Sequence, residues 1–167
     1  WNSWIQGDEV YLLRVAPESL NDLSAYEFYA GKSSDGSAVW SKHFHEIQPL
    51  IRWDDNLGCV TMTYNAALKK YFMCITRGME IARYNTMILE ADSMTGPWSM
   101  VHYMRDFGPE AYFVNIPSKF ISEDGEKAVL WYSANFTDNP WGKEKTSEEN
   151  PKGSNYSLVV QEIQLMK

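Results

Sequence analysis

The sequence predicts an all-β protein of the β-propeller type, and three observations carry that expectation. Short alternating or β-branched and aromatic runs are separated by Gly, Pro, Asn and Asp, the pattern of an antiparallel all-β chain. Only residues 17–23 and 41–47 could hold a turn or two of helix, and neither reaches the ~10–12 residues of an average helix. The runs fall into three groups of three or four, beginning near Asp8, Asp55 and Glu110 and roughly 50 residues apart, the length of a four-stranded blade with its connections. A β-sandwich has a similar strand count, and it is the grouping that favours a propeller.

In chain order, the first group holds runs at 9–15, 26–30 and 38–44. A turn at Ser33-Ser34-Asp35-Gly36 joins the second run to the third. The second group, after Pro49 and Gly58, holds 59–64, 71–76, 85–91 and 98–104, with turns at Asn65-Ala66-Ala67-Leu68 and Thr95-Gly96-Pro97. The third holds 112–121, 127–133 and 156–165, with a turn at Glu123-Asp124-Gly125. Residues 138–154 are polar, with Pro, Gly and mixed Lys and Glu, and read as a long exposed loop between two strands. The expected organisation is therefore one partial domain over 1–167, with blades near 8–50, 55–107 and 110–167. Three blades cannot close a ring, and an open propeller leaves edge strands and an uncovered blade face. The chain is accordingly expected to need further N-terminal blades or a dimer partner.

Composition narrows the function. Seven Trp, ten Tyr and seven Phe, 14% of the chain, supply strand formers and flat faces on which sugar rings stack. A net charge of −7, with no basic run longer than Lys69-Lys70, argues against nucleic acid. No run approaches the ~18 apolar residues of a membrane helix. Two cysteines exclude a disulfide-dense scaffold and a zinc site of paired cysteines. A hairpin centred between Ala66 and Ala67 would set Cys59 directly opposite Cys74, leaving a cross-strand disulfide and two buried thiols both open. Asn135-Phe136-Thr137 and Asn155-Tyr156-Ser157 fit the glycosylation sequon and tilt towards secretion.

Some phrases are more specific. Ala25-Tyr26-Glu27-Phe28-Tyr29-Ala30-Gly31 followed by Val39-Trp40-Ser41 resembles a blade of the five-bladed propellers called domain of unknown function 4185. So does Tyr64-Asn65 with Lys70-Tyr71 and Ile88-Leu89-Glu90-Ala91-Asp92-Ser93-Met94-Thr95-Gly96-Pro97-Trp98, a phrase also similar to blades of glycoside hydrolase family 43. Tyr112-Phe113-Val114-Asn115-Ile116-Pro117-Ser118-Lys119-Phe120 with Trp131-Tyr132-Ser133-Ala134-Asn135-Phe136 completes the likeness, which runs from Asp8 onward and matches about the C-terminal half of a full domain. The resemblance implies a secreted or surface glycoside hydrolase, with arabinan-type polymers among its substrates. The blades that carry at least one catalytic carboxylate in such relatives are not in this sequence. Axial calcium occurs in the resemblance only; nothing in the sequence identifies ligands for it, and no cofactor is expected.

Glycoside hydrolysis needs two carboxyl groups across the scissile bond, about 5 to 9.5 Å apart. Acids at or just before the start of the innermost strand of each blade can converge on a propeller axis, and the sequence places Asp8-Glu9, Asp54-Asp55 and Glu110 there. Glu110, after Gly108-Pro109 and before an aromatic strand, is the best candidate acid, because burial there would raise its pKa. Arg14, Asn115 and Lys119 are candidate sugar-binding groups, with Trp53 and Tyr112 as stacking faces. Arg14 interrupts an apolar run and either lines the channel or snorkels to a surface. Asn115 has the same ambiguity, with a backbone-bonding role as the alternative. Trp40 and Trp98 are expected to pack between blades. His43 and His45 alternate on one predicted strand face with no third ligand near, so no metal site is assigned to them. Ser33 to Trp40 narrowly misses the sialidase Asp-box, because Gly follows Asp directly. Competing functions are a non-catalytic carbohydrate-binding propeller and a protein-interaction propeller.

Overall fold

The computed structural model of the chain describes residues 6–80, 83–135 and 156–165, so the 138–154 loop and the Asn155 sequon lie outside the described residues. The described chain is all-β, with 3-10 turns of three residues as its only helical segments. Twelve strands form four antiparallel sheets, none of which closes on itself among the described residues.

The first predicted run breaks at Leu12 into β1 (Glu9–Tyr11) and β2 (Leu13–Arg14). β2 pairs with β3 (Glu27–Lys32), which pairs with β4 (Ala38–Ser41). Gly31, with φ +94, falls where the β3–β4 register shifts, and β1 pairs with β5 (Pro49–Arg52), Val10 lying opposite Ile51. The sequence places the last run of the first group at 38–44 and predicts no strand between Pro49 and Gly58, where β5 lies. Proline, lacking an N–H, is nevertheless tolerated as the first residue of a strand. β4 stops at Ser41, whose Oγ accepts the His43 N–H at 3.0 Å and also hydrogen-bonds the Glu46 carboxylate, which bends the chain into the Phe44–Glu46 turn. His43 and His45 therefore do not alternate along a strand. They are exposed, with ring centroids 5.6 Å apart.

The second group is a four-stranded meander: β6 (Cys59–Asn65), β7 (Lys70–Glu80), β8 (Arg83–Ala91) and β9 (Ser99–Met104). The β6–β7 turn spans Ala66 to Lys69, with Asn65 opposite Lys70, so Cys59 faces Thr76 and Cys74 faces Thr61. The expected Cys59–Cys74 pairing is thus two residues out of register, and both cysteines are free and buried. A slip of two keeps every side chain on its predicted face. The third sheet joins β10 (Tyr112–Asn115), β11 (Lys127–Asn135) and β12 (Tyr156–Gln164). The predicted strand at 112–121 is cut short by Pro117, which gives way to a 3-10 turn over Ser118–Phe120.

The meander is the middle layer, and both its faces are covered. Phe72, Cys74 and Ile88 pack against Val114, Leu130 and Tyr132 of the third sheet. Met73, Ile75, Met87 and Leu89 form a second core with Leu57, Val10 and Ile51. This explains the unbroken apolar runs in β7 and β8, which a strand with one wet face would not show. Asn65, fully buried, bridges two connections: its Nδ2 donates to the Gly125 carbonyl at 2.9 Å, and its Oδ1 accepts the Leu68 N–H. The outward face of the third sheet is apolar and uncovered among the described residues: Leu158 and Val160 are 64% and 56% exposed, with Val160 opposite Trp131. Leu13, Leu23 and Phe44 are similarly exposed at the far end of the stack.

Candidate functional site

The first strands of the second and third sheets run side by side in one direction. The Phe113 N–H donates to the Cys59 sulfur, and Thr61 Oγ1 donates to the Val114 carbonyl at 2.6 Å. Their starting ends therefore meet, and there the chain concentrates buried polar groups. Glu110 precedes β10 at φ +50 and is buried. That backbone conformation costs a non-glycine residue of order 1 kcal/mol or more and needs surrounding structure to hold it. The holding contacts come from β11: the Asn135 N–H donates to the Pro109 carbonyl at 2.8 Å, and Asn135 Nδ2 donates to Glu110 Oε2 at 2.5 Å.

Three tyrosines complete the cluster. Tyr112 stacks edge-on with both Tyr84 and Tyr156, at centroid distances of 6.3 and 6.2 Å. The Tyr84 phenol is pushed above its ordinary pKa, first by burial and then by the negative charge of Glu110. Tyr156 shifts the same way, mainly by burial, with Tyr112 and Glu110 adding to it. Both tyrosines remain protonated at neutral pH and face a buried carboxyl that can give or take a proton. Phe113, at φ +54 and exposed, flanks Tyr112 with ring centroids 5.4 Å apart.

The other predicted residues are distributed differently. Asp8 closes the turn before β6: its Oδ1 accepts the Asp55 N–H at 2.8 Å, and its carbonyl accepts the Trp53 N–H. Asp54 and Asp55 are exposed in that turn, and the Asp55 carbonyl accepts from Arg77 Nε at 3.0 Å. Arg14 lies on β2, beyond the break at Leu12 and in a different sheet from the strand that follows Asp8. It pairs with Glu27 at 2.8 Å and stacks over Trp40 at 4.0 Å on an exposed surface. Asn115 is half-buried opposite Trp131, while Lys119 is exposed and sits over the Phe120 ring at 4.7 Å. Trp53 belongs to a separate cleft with Trp98. Of the predicted site residues, then, Glu110 and Tyr112 come together in the cluster.

Tyr84, Asn135 and Tyr156 are the members that sequence reasoning missed, Tyr156 because it read only as part of a sequon and the start of the last strand. Tyr84 sits in a polar stretch just ahead of the predicted 85–91 run, and Asn135 reads as a sequon until its amide is found on Glu110. No group of three or more His, Cys, Asp or Glu side chains is placed to hold a metal among the described residues. No helix among them is long and apolar enough to cross a membrane.

The fold and the cluster define a class: an all-β protein of stacked antiparallel sheets with a buried carboxyl–tyrosine site where the meander meets the third sheet. Comparison with family models, with curated proteins and with solved structures gave no match.

Proposed function

We propose that the chain is part of a secreted, five-bladed, carbohydrate-active β-propeller and that Glu110 is the acid–base group of its glycosidase site. The observation that carries this reading is the buried Glu110, held by Asn135 among Tyr84, Tyr112 and Tyr156 at the start of β10. A buried carboxyl is what protonation of a glycosidic oxygen requires, and aromatic rings beside it suit a sugar. Two further features support a propeller. The first strands of adjacent sheets run in the same direction, and both ends of the stack expose apolar side chains that neighbouring blades would cover. Asp54 or Asp55 supplies the second carboxylate in this reading, and arabinan-type chains are the substrate class.

A non-catalytic carbohydrate-binding role is the second reading. It is favoured by the exposure of Asp54 and Asp55, which lack the enclosure that Glu110 has. The protein is incubated with linear arabino-oligosaccharides, and both cleavage and binding are measured for wild type and Glu110→Gln. Cleavage lost with binding retained supports the glycosidase reading, and cleavage unchanged by the substitution overturns it. Binding without cleavage in the wild type selects the second reading.

A further inference from the structure

A second aromatic site lies between the first and second sheets and shares no residue with the Glu110 cluster. It is a cleft of about 420 Å³, within the size range of small-ligand sites. Trp53, Trp98, Tyr29 and Pro97 wall it, and Lys32 and Arg52 are its charged residues, with no Asp or Glu on the lining. That composition stands out in a chain of net charge −7.

The two cations differ in what they already hold. Arg52 Nε donates to Glu9 Oε1 at 2.7 Å, which ties the guanidinium across the sheet to β1. Lys32 is exposed at the end of β3 and makes no ion pair among the described residues. Trp53 is 39% exposed, enough to present a ring face, while Trp98 packs into the second core and gives the cleft a fixed wall.

We propose that this cleft binds an acidic saccharide, a uronate-bearing oligosaccharide whose sugar ring stacks on Trp53 and whose carboxylate meets Lys32 and Arg52. A ring face buries apolar C–H groups against indole, and a carboxylate on Lys and Arg forms charge-assisted hydrogen bonds. A neutral sugar would gain the first contribution without the second. The site is independent of Glu110 and would act as an anchoring subsite.

The test is titration of the protein with trigalacturonate, followed by tryptophan fluorescence and calorimetry. The expected result is saturable binding that weakens about tenfold or more in Trp53→Ala and in Lys32→Gln. Affinity for neutral galactotriose is expected to be lower by a similar factor, and Glu110→Gln is expected to bind trigalacturonate as the wild type does. Lys32 is exposed, so its variant decides the matter even if Trp53→Ala fails to fold. Absence of binding, equal affinity for the neutral trisaccharide, or binding indifferent to Lys32→Gln overturns the proposal. A failed arabinan assay with intact trigalacturonate binding would remove the glycosidase reading alone.

Discussion

Asn135 Nδ2 and Glu110 Oε2 stand 2.5 Å apart with each residue only 4% exposed, so a side-chain amide compensates the burial of a carboxyl group. Asn135→Ala removes that donor and leaves the acid poorly solvated, at an expected cost of about 2–3 kcal/mol in urea unfolding. Glu110→Gln keeps a hydrogen-bonding partner and costs less. The same contact closes the Asn135 sequon: protein secreted from a eukaryotic host is expected to carry no glycan at Asn135, as peptide mass spectrometry would read. A glycan found there on folded protein would contradict the buried amide.

Thr76 and Thr86 face each other across β7 and β8, almost fully buried, and their hydroxyls have no hydrogen-bond partner among the described residues. Valine has the same shape without the polar atom. Thr76→Val and Thr86→Val are each expected to stabilise the fold by about 1 kcal/mol, seen as a higher denaturation midpoint at unchanged slope. Destabilisation by both would mean the hydroxyls are satisfied by bound water.

Burial pushes the Cys74 thiol up to about 12, against a smaller opposing effect of the Thr61 hydroxyl. The thiolate is the reactive form, so folded Cys74 is expected to resist alkylation at pH 8. Unreduced, denatured protein is expected to yield two thiols on titration, in accord with the Cys59–Thr76 and Thr61–Cys74 register. A yield of none would place the hairpin two residues from where it is described.

The Asp35 carboxyl closes its turn by accepting the Ser33 hydroxyl and the Ser37 N–H, and these hold it at about 2, below the ordinary 3.8. The folded state therefore binds this proton less readily than the unfolded chain. The stability it contributes is complete above 3.8 and is lost as pH falls towards about 2. Asp35→Asn is expected to flatten the acid limb of the stability curve in that window alone. Carboxyl NMR would give the Asp35 midpoint directly, and an ordinary value would sink the assignment.

Strand content was legible because alternation and β-branched runs report burial directly. Positions set by a single local irregularity were not. The β6–β7 register depends on whether the turn takes two residues or four, and a two-residue slip preserves the apolar pattern, so the sequence cannot tell them apart. β5 was hidden behind Pro49, and the break at Pro117 looked like continued strand. Glu110 could be picked out because Gly108-Pro109 and an aromatic strand frame it. Tyr84, Asn135 and Tyr156 could not, because what brings them to Glu110 is contact between β8, β10, β11 and β12. Arg14 shows the reverse case: a charge in an apolar run that finds Trp40 and Glu27 on the outside.

The meander contributes one face to each of the two cores, and the outer sheets share no core with each other. Unfolding either outer sheet strips one face of β7 and β8, whereas unfolding the meander dissolves both cores at once. Stability is thus transmitted between neighbours, as in a linear array. The amide hydrogens that exchange most slowly with solvent should be those of β7 and β8, with protection declining towards β4 on one side and β12 on the other. An added sheet at either end would raise the protection of its immediate neighbour first. The exchange profile is therefore a way to detect from within whether the ends of the stack are covered.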